Sequence, residues 1–390
     1  MEQKTLSDEF VLVPSSTEQK KLTKEQALVC AKMFSDYFDR FQNVEDYMRF
    51  QKLNSITQIP NSFSFMDPKD DLFSDFTIHP NDMEFKVVEI PNEDWDNYIT
   101  MISSHSNMTN IPGRTIRLAV KETKTNKWVG FIRLASPMMN MKPRNDMLGG
   151  AFAANKDTAK SFNKCAIMGF VIVPAQPFGY NYLGGKLLAG ICTSHEVRNI
   201  VNKKYNMNLC LFETTSLYGS SKTVSQYDGM KPFIRYKGLT ESDFIPMMHG
   251  KPYDDLISYV ENLIGVFVSP DASSRKLTMQ TRIIAMVKIA LKGESEYDSF
   301  VKTIENAKNL MEKKRYYISD YGFSNVEDVV MGRATELIPN KENYDKFHLD
   351  NIIKWWKNKA SNRYESLKNE DRIRTELEVW TGDKEIDIIR

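Results

Sequence analysis

Cysteine and histidine are scarce in this 390-residue chain, at four and five residues. Cys30, Cys165, Cys192 and Cys210 never approach CxxC spacing, which argues against zinc fingers and paired-thiol redox motifs. Three of the four fall in apolar segments, the pattern of buried, reduced thiols. His105 and His195 have no metal-ligand spacing and read as structural, so no metal site is expected. HExxH, Walker A and GxSxG motifs are missing, which argues against common metalloproteases, NTPases and hydrolases. No apolar run approaches the roughly 20 residues that span a bilayer. The opening MEQKTLSDEFVLVPSS lacks a basic stretch followed by an apolar one, so it does not read as a signal peptide. The expectation is a cytoplasmic protein with no membrane partner.

What is present is ordinary globular composition, 41% hydrophobic and 26% charged, with a strong internal asymmetry of charge. Residues 1–110 hold 10 basic and 19 acidic side chains, a net of −9. Residues 111–240 hold 19 and 6, a net of +13, and residues 241–390 hold 23 and 26, a net of −3. A +13 block attracts polyanions, with DNA the leading partner. The alternative is that the acidic N-terminal block folds over the basic one and neutralises it.

Three regions follow: an acidic, mostly helical extension over 1–110, a basic α/β core over 111–245, and a helical domain over 250–390. Apolar periodicity predicts a helix over 23–54, a strand over 85–90 and a helix over 95–108. In the core, Thr115–Glu122 and Trp128–Ser136 read as a hairpin, and a helix is expected near Asp157–Lys164. CAIMGFVIV (165–173) is the strongest buried-strand signal in the chain. The loop PAQPFGYNYLGGKLL leads into a helix over 182–205, and Leu209–Thr215 is the next strand. Helices are expected over 253–266, 277–292, 296–317, 325–334 and 346–370. In the last of these, NIIKWWKNKASNRYESLK reads as an amphipathic helix burying Ile352, Trp356 and Tyr364, in preference to a nucleic-acid-contacting one.

Two strand ends promise a site, because ligands gather off the carboxyl ends of central strands. The first is the glycine-containing loop after Val173, where a helix start offers backbone N–H groups to an anion. The second is the tip of the strand at Leu209, which releases Glu213, Thr214, Thr215, Ser216 and Tyr218. Glu213 is either a general base raised by burial or a structural carboxylate paired with Lys or Arg. Tyr218, Tyr227 and Tyr236 either assist proton transfer, stack on a base or simply pack. Ser220, Ser221 and Lys222 either hold a phosphate or form a solvated turn.

NLCLFETTSLYGSSKTVSQYDGMKPFIRYKGLT, the hairpin WVGFIRLASPMM and the segment Phe170–Leu188 resemble the Druantia DruA family over roughly residues 111–242. The element order also resembles the GCN5-related N-acetyltransferase fold, and by fold the phage Mom DNA-modification proteins. The resemblance implies an α/β fold with an acyltransferase-like central mixed sheet and an N-terminal helical extension. It implies a phage or mobile-element protein acting on DNA, with an acyl-CoA-like donor and a nucleobase amine as acceptor. Glu213, Tyr218 and Tyr236 would be the catalytic set, and Gln176, Gly179, Tyr180, Asn181 and Gly184 would line the donor loop. Ser220, Ser221, Lys222, Lys231, Arg235 and Lys237 would meet nucleic acid. The loop departs from the family pattern, with Asn181 where a second small residue belongs. The alternative function is a non-catalytic nucleic-acid-binding or counter-defence protein on the same fold.

Overall fold

A computed structural model describes residues 21–56, 71–103, 113–138, 141–149, 156–219, 224–240, 246–270, 272, 275–310 and 313–380. The chain divides into two units, 1–42 with 244–311, and 43–243 with 312–390. This differs from the three consecutive blocks expected from the sequence, because each unit draws on two separated stretches.

The first unit is helical, with helices Lys24–Phe38, Lys251–Ile264, Arg275–Ala290 and Tyr297–Lys308. Thr23 starts the first one: its hydroxyl accepts from the Gln26 amide, and the Gln26 side chain accepts from the Thr23 amide. The Phe34 ring meets Phe300 edge-on at 5.9 Å. Tyr37 is buried, and its hydroxyl accepts from the His249 amide.

The second unit holds a seven-stranded mixed sheet. The strands are β1 (Phe85–Glu89), β2 (Thr115–Glu122), β3 (Lys127–Ala135), β4 (Ala166–Pro174), β5 (Leu211–Gly219), β6 (Arg235–Leu239) and β7 (Lys314–Ser319). Their spatial order is β1-β2-β3-β4-β5-β7-β6. Neighbours are antiparallel except β4 and β5, which run parallel as a strand–helix–strand crossover requires. Side-chain alternation divides the core. Leu118, Val120, Ile132 and Ile172 face the larger core, which includes Leu188, Trp356 and Tyr364. Ala119, Phe131 and Val171 face Trp95, Tyr98 and Ile99 of the Asn92–Ile102 helix. The Leu349–Asn369 helix buries Ile352, Trp356, Ala360, Tyr364 and Leu367, as its amphipathic pattern predicts.

Three expectations change, the first being that the helix expected over 23–54 is two helices, Lys24–Phe38 and Val44–Ile56. The helix expected over 182–205 is two helices, Gly184–Cys192 and His195–Tyr205, because Ser194 caps the second through the Val197 amide. The helix expected over 296–317 ends at Lys308, and KRYYIS becomes β7. All four cysteines are buried and free. Among the described residues no helix is long and apolar enough to cross a membrane, and no group of three or more His, Cys, Asp and Glu could hold a metal.

One buried cation tests the packing. Lys52 donates to the Thr100 carbonyl, and its ammonium lies 5.5 Å from the Trp380 ring centre. Burial pulls its pKa down to about 7, from 10.5 for an ordinary lysine. Between those values the unfolded chain binds the proton and the folded chain does not, so stability rises as pH climbs through that window. Lys52→Met should remove this rise and raise stability at pH 7 by on the order of a few kcal/mol. Urea unfolding at pH 7 and pH 10 reads it; parallel curves for both proteins would refute it.

Candidate functional site

β4 and β5 have nine residues each, yet they pair only over Ala166–Gly169 and Leu211–Thr214. Beyond that point β4 stays with β3 as far as Pro174, while Thr215 and Gly219 pair with β7. The Thr214 hydroxyl donates to the Gly169 carbonyl at 3.0 Å, where the two strands part. The tip of β5 therefore opens onto a split in the sheet.

The segment from Ser225 to Ile234 is tied to both sides of that split. Lys186, on the helix after β4, donates to the carbonyls of Gln226 at 2.8 Å and Asp228 at 2.5 Å. The Gln226 side chain lies so close to Gly185 that a Cβ there would come within 2.5 Å of its Oε1. On the β5 side, Tyr227 is buried, hydrogen-bonded with Thr214, and 5.2 Å edge-on from Tyr317. Burial and the nearby Lys359 both lower the Lys186 pKa.

Glu213 is fully buried on β5. Arg144 Nη1 donates to its two oxygens at 3.0 and 3.2 Å, and the Tyr316 hydroxyl of β7 donates to Oε1. Arg144, itself unexposed, comes from the Lys142–Met147 helix and lies over the Phe162 ring at 4.4 Å. It also donates to the Met138 carbonyl at 2.8 Å. Burial raises the Glu213 pKa; Arg144 and the Tyr316 hydrogen bond pull it back without cancelling the rise. Tyr316 is pushed well above its ordinary value by burial and by Glu213. Both oxygens are thus engaged and shielded from solvent.

The loop residues Gln176, Gly179, Tyr180, Asn181 and Gly184 come together, but the amides of Gly179, Tyr180 and Asn181 are turned to the protein. The Gly179 amide donates to the Ala175 carbonyl, Tyr180 to Gln176 Oε1 and Asn181 to the Pro177 carbonyl. The buried Asn181 carboxamide grips the Arg374 backbone at both ends, donating at 2.7 Å and accepting at 3.1 Å. The Glu378 amide donates to the Gln176 carbonyl at 3.0 Å. Arg374 stacks over the Tyr180 ring at 3.9 Å, and Arg372 bonds its hydroxyl. Gly184 permits the close turn: a Cβ there would stand 2.7–3.0 Å from Phe178, Pro174 and the Gly179 backbone.

The remaining expected residues separate. Lys231, Arg235, Tyr236 and Lys237 lie on or beside β6, at a sheet edge, and Arg235 is paired with Asp320. Ser220, Ser221 and Lys222 lie outside the described residues, as does the side chain of Tyr218. His195 is buried among aromatic rings, with Nε2 2.9 Å from the Tyr344 carbonyl. The basic block is partly neutralised by the acidic N-terminal stretch, through Arg117–Asp96, Lys124–Glu84 and Lys204–Glu89. Sequence reasoning missed Arg144, Tyr316 and Lys186. The aromatic and β-branched run Tyr316-Tyr317-Ile318 carries strand propensity, but it continues the apparent period of the helix before it. Nothing local marks Arg144 or Lys186.

The family model for Druantia protein DruA matches residues 17–229, more than half of the chain, and the chain belongs to that family. Membership associates it with a defence system. No curated protein and no solved structure matches the chain.

Two experiments test this arrangement. Glu213→Gln leaves the Arg144 guanidinium buried without its counter-charge and should destabilise the unit by about 3–5 kcal/mol in urea. Glu213→Leu with Arg144→Met should recover most of that loss; an unaltered midpoint for Glu213→Gln would show that the pair is not holding the fold. Asn181→Ala should release the Arg374 backbone, so that trypsin cuts after Arg372 and Arg374 faster with no change in helix content. Unchanged cleavage would mean that the carboxamide does not retain the segment.

Proposed function

We propose that this chain is a nucleic-acid-binding component of a defence system, built on an acyltransferase-like scaffold that does not use an acyl-CoA donor. The mixed sheet supports the scaffold: a single parallel pair parts next to a glycine-containing loop and helix. One observation carries the binding reading. The places a donor would need are taken up by the chain itself, the loop by the 372–378 segment and the split by the Ser225–Ile234 segment. Glu213, sealed by Arg144 and Tyr316, then fixes the sheet instead of taking a proton from a bound molecule. The basic excess of residues 111–240 supports DNA as the polyanion.

A second reading keeps the chemistry, because burial does raise the Glu213 pKa as a general base requires. Glu213 would deprotonate a nucleobase amine, with Tyr218 or Tyr236 assisting and an acyl-CoA-like donor at Gln176–Gly184. It requires both covering segments to withdraw.

Fluorescence anisotropy over a salt series tests the first reading. Log affinity for duplex DNA should fall with log salt by about 0.9 per phosphate contact, while coenzyme A should leave the melting temperature unchanged. Absence of DNA binding at low salt would refute the first reading. Modified nucleosides in DNA from cells making the protein, detected by mass spectrometry, would establish the second.

A further inference from the structure

β6 ends the sheet at one edge, and what it exposes is aromatic and basic. Tyr236 is 51% exposed, whereas Tyr316 and Tyr317 on the neighbouring strand are buried. Its ring lies 5.7 Å from the Tyr317 ring and is tilted against it. Leu239 is exposed beside it. Six basic side chains follow β6 and its partner β7: Lys231, Arg235, Lys237, Lys313, Lys314 and Arg315. Among the described residues, Asp228 and Asp320 accompany them, and both are engaged. Asp228 accepts from Arg315 at 3.4 Å and from the Tyr317 hydroxyl at 3.2 Å, and Asp320 accepts from Arg235.

We propose that this edge binds single-stranded DNA, with Tyr236 as the platform on which a base stacks and Lys231, Lys237 and Lys313 on the phosphates. The proposal rests on the nucleic-acid reading above and names its ligand. An exposed ring at a sheet edge can meet a base face only when the base is unstacked, which a duplex does not offer. The exposed Lys231, Lys237 and Lys313 are ammonium point charges that read phosphate, and the ribo-oligomer below is the arm that separates DNA from RNA. Addition of a protein strand is the other use of an open edge. Here the register slips between Tyr236 and Gly238, and Gly238 has φ +127°. That irregularity and the exposed lysines are devices that discourage strand addition.

The test uses the full chain, a labelled short oligothymidylate, its ribo-counterpart and a blunt duplex. The single strand should bind more tightly than the duplex. Tyr236→Ala should weaken single-strand binding by about tenfold or more, leave duplex binding unchanged, and be rescued by Tyr236→Phe. Lys231→Ala with Lys237→Ala should reduce the single-strand salt slope by about 1.4, at roughly 0.7 per lost contact. A urea midpoint equal to that of the parent protein checks that Tyr236→Ala is folded. Unchanged single-strand binding by Tyr236→Ala overturns this proposal, as does a ribo-oligomer bound about tenfold more tightly. If the duplex still binds with salt dependence, the broader reading survives that result. No binding to any of the three at low salt overturns both.

Discussion

Arg144, Glu213 and Tyr316 meet in a place that water does not reach, and this contact fixes one half of the sheet. Burying two charges is costly, and their attraction offsets that cost only when geometry is good and the remaining hydrogen bonds are made. Here Arg144 spans both carboxylate oxygens while also reaching the Met138 carbonyl. The pair thereby selects a single register. Glu213 stands opposite Ile318, and Tyr316 opposite Thr215, so the tyrosine hydroxyl and the carboxylate share a face. A slip of one residue would send Tyr316 to the other face and leave a buried charge without its donor. The helix that supplies Arg144 also lies close to β6, with Pro143 near Gly238. β5 and β7 are therefore joined through one buried ion pair and its tyrosine donor.

The split between β4 and β5 follows from that arrangement. β5 is held to β7 on its far side, and β4 is held to β3. A parting strand leaves polar backbone groups in need of partners or water. The answer on one side is Thr214, which bonds the Gly169 carbonyl. Across the mouth it is Lys186, whose ammonium collects two carbonyls of the covering segment. A lysine whose pKa is lowered by burial is an unusual anchor, since its desolvation opposes the charge that makes it useful. Here the two carbonyls supply polar partners to a half-buried ammonium.

Local pattern made much of this half of the chain legible. β2 has the bounds its alternation predicts, and CAIMGFVIV lies beside the Leu209 strand as the buried-strand signals require. Three features were hidden for physical reasons. Ser194 is an ordinary polar residue on one helical pattern until its hydroxyl caps a second helix. Tyr316 and Tyr317 follow an amphipathic helix closely enough to extend its apparent period, although that helix ends at Lys308 and β7 begins at Lys314. Arg144 sits in a Met- and Asn-rich stretch with no local sign of burial; only the fold brings it to a carboxylate 69 positions away. At the site, sequence identified Glu213 as special but could not separate base from scaffold, because both roles require a buried carboxylate. It grouped Gln176–Gly184 correctly as a loop, but the covering segment is supplied from near the far end of the chain.

The same distinction between local and distant information governs the charge. Counting along the chain gave +13 to one block, and the fold distributes it unevenly. Near β1 and β2, the acidic residues Glu84, Glu89 and Asp96 lie within ion-pairing reach of Lys124, Lys204 and Arg117. Such partly exposed pairs add little stability, but they cancel the local potential whatever their energy. Arg144 contributes nothing to the outer surface, because it is spent on Glu213. At the opposite edge, among the described residues, Asp228 and Asp320 engage Arg315 and Arg235. The exposed Lys231, Lys237 and Lys313 stand near the exposed Tyr236 at that edge, and the DNA contact proposed above depends on their charge.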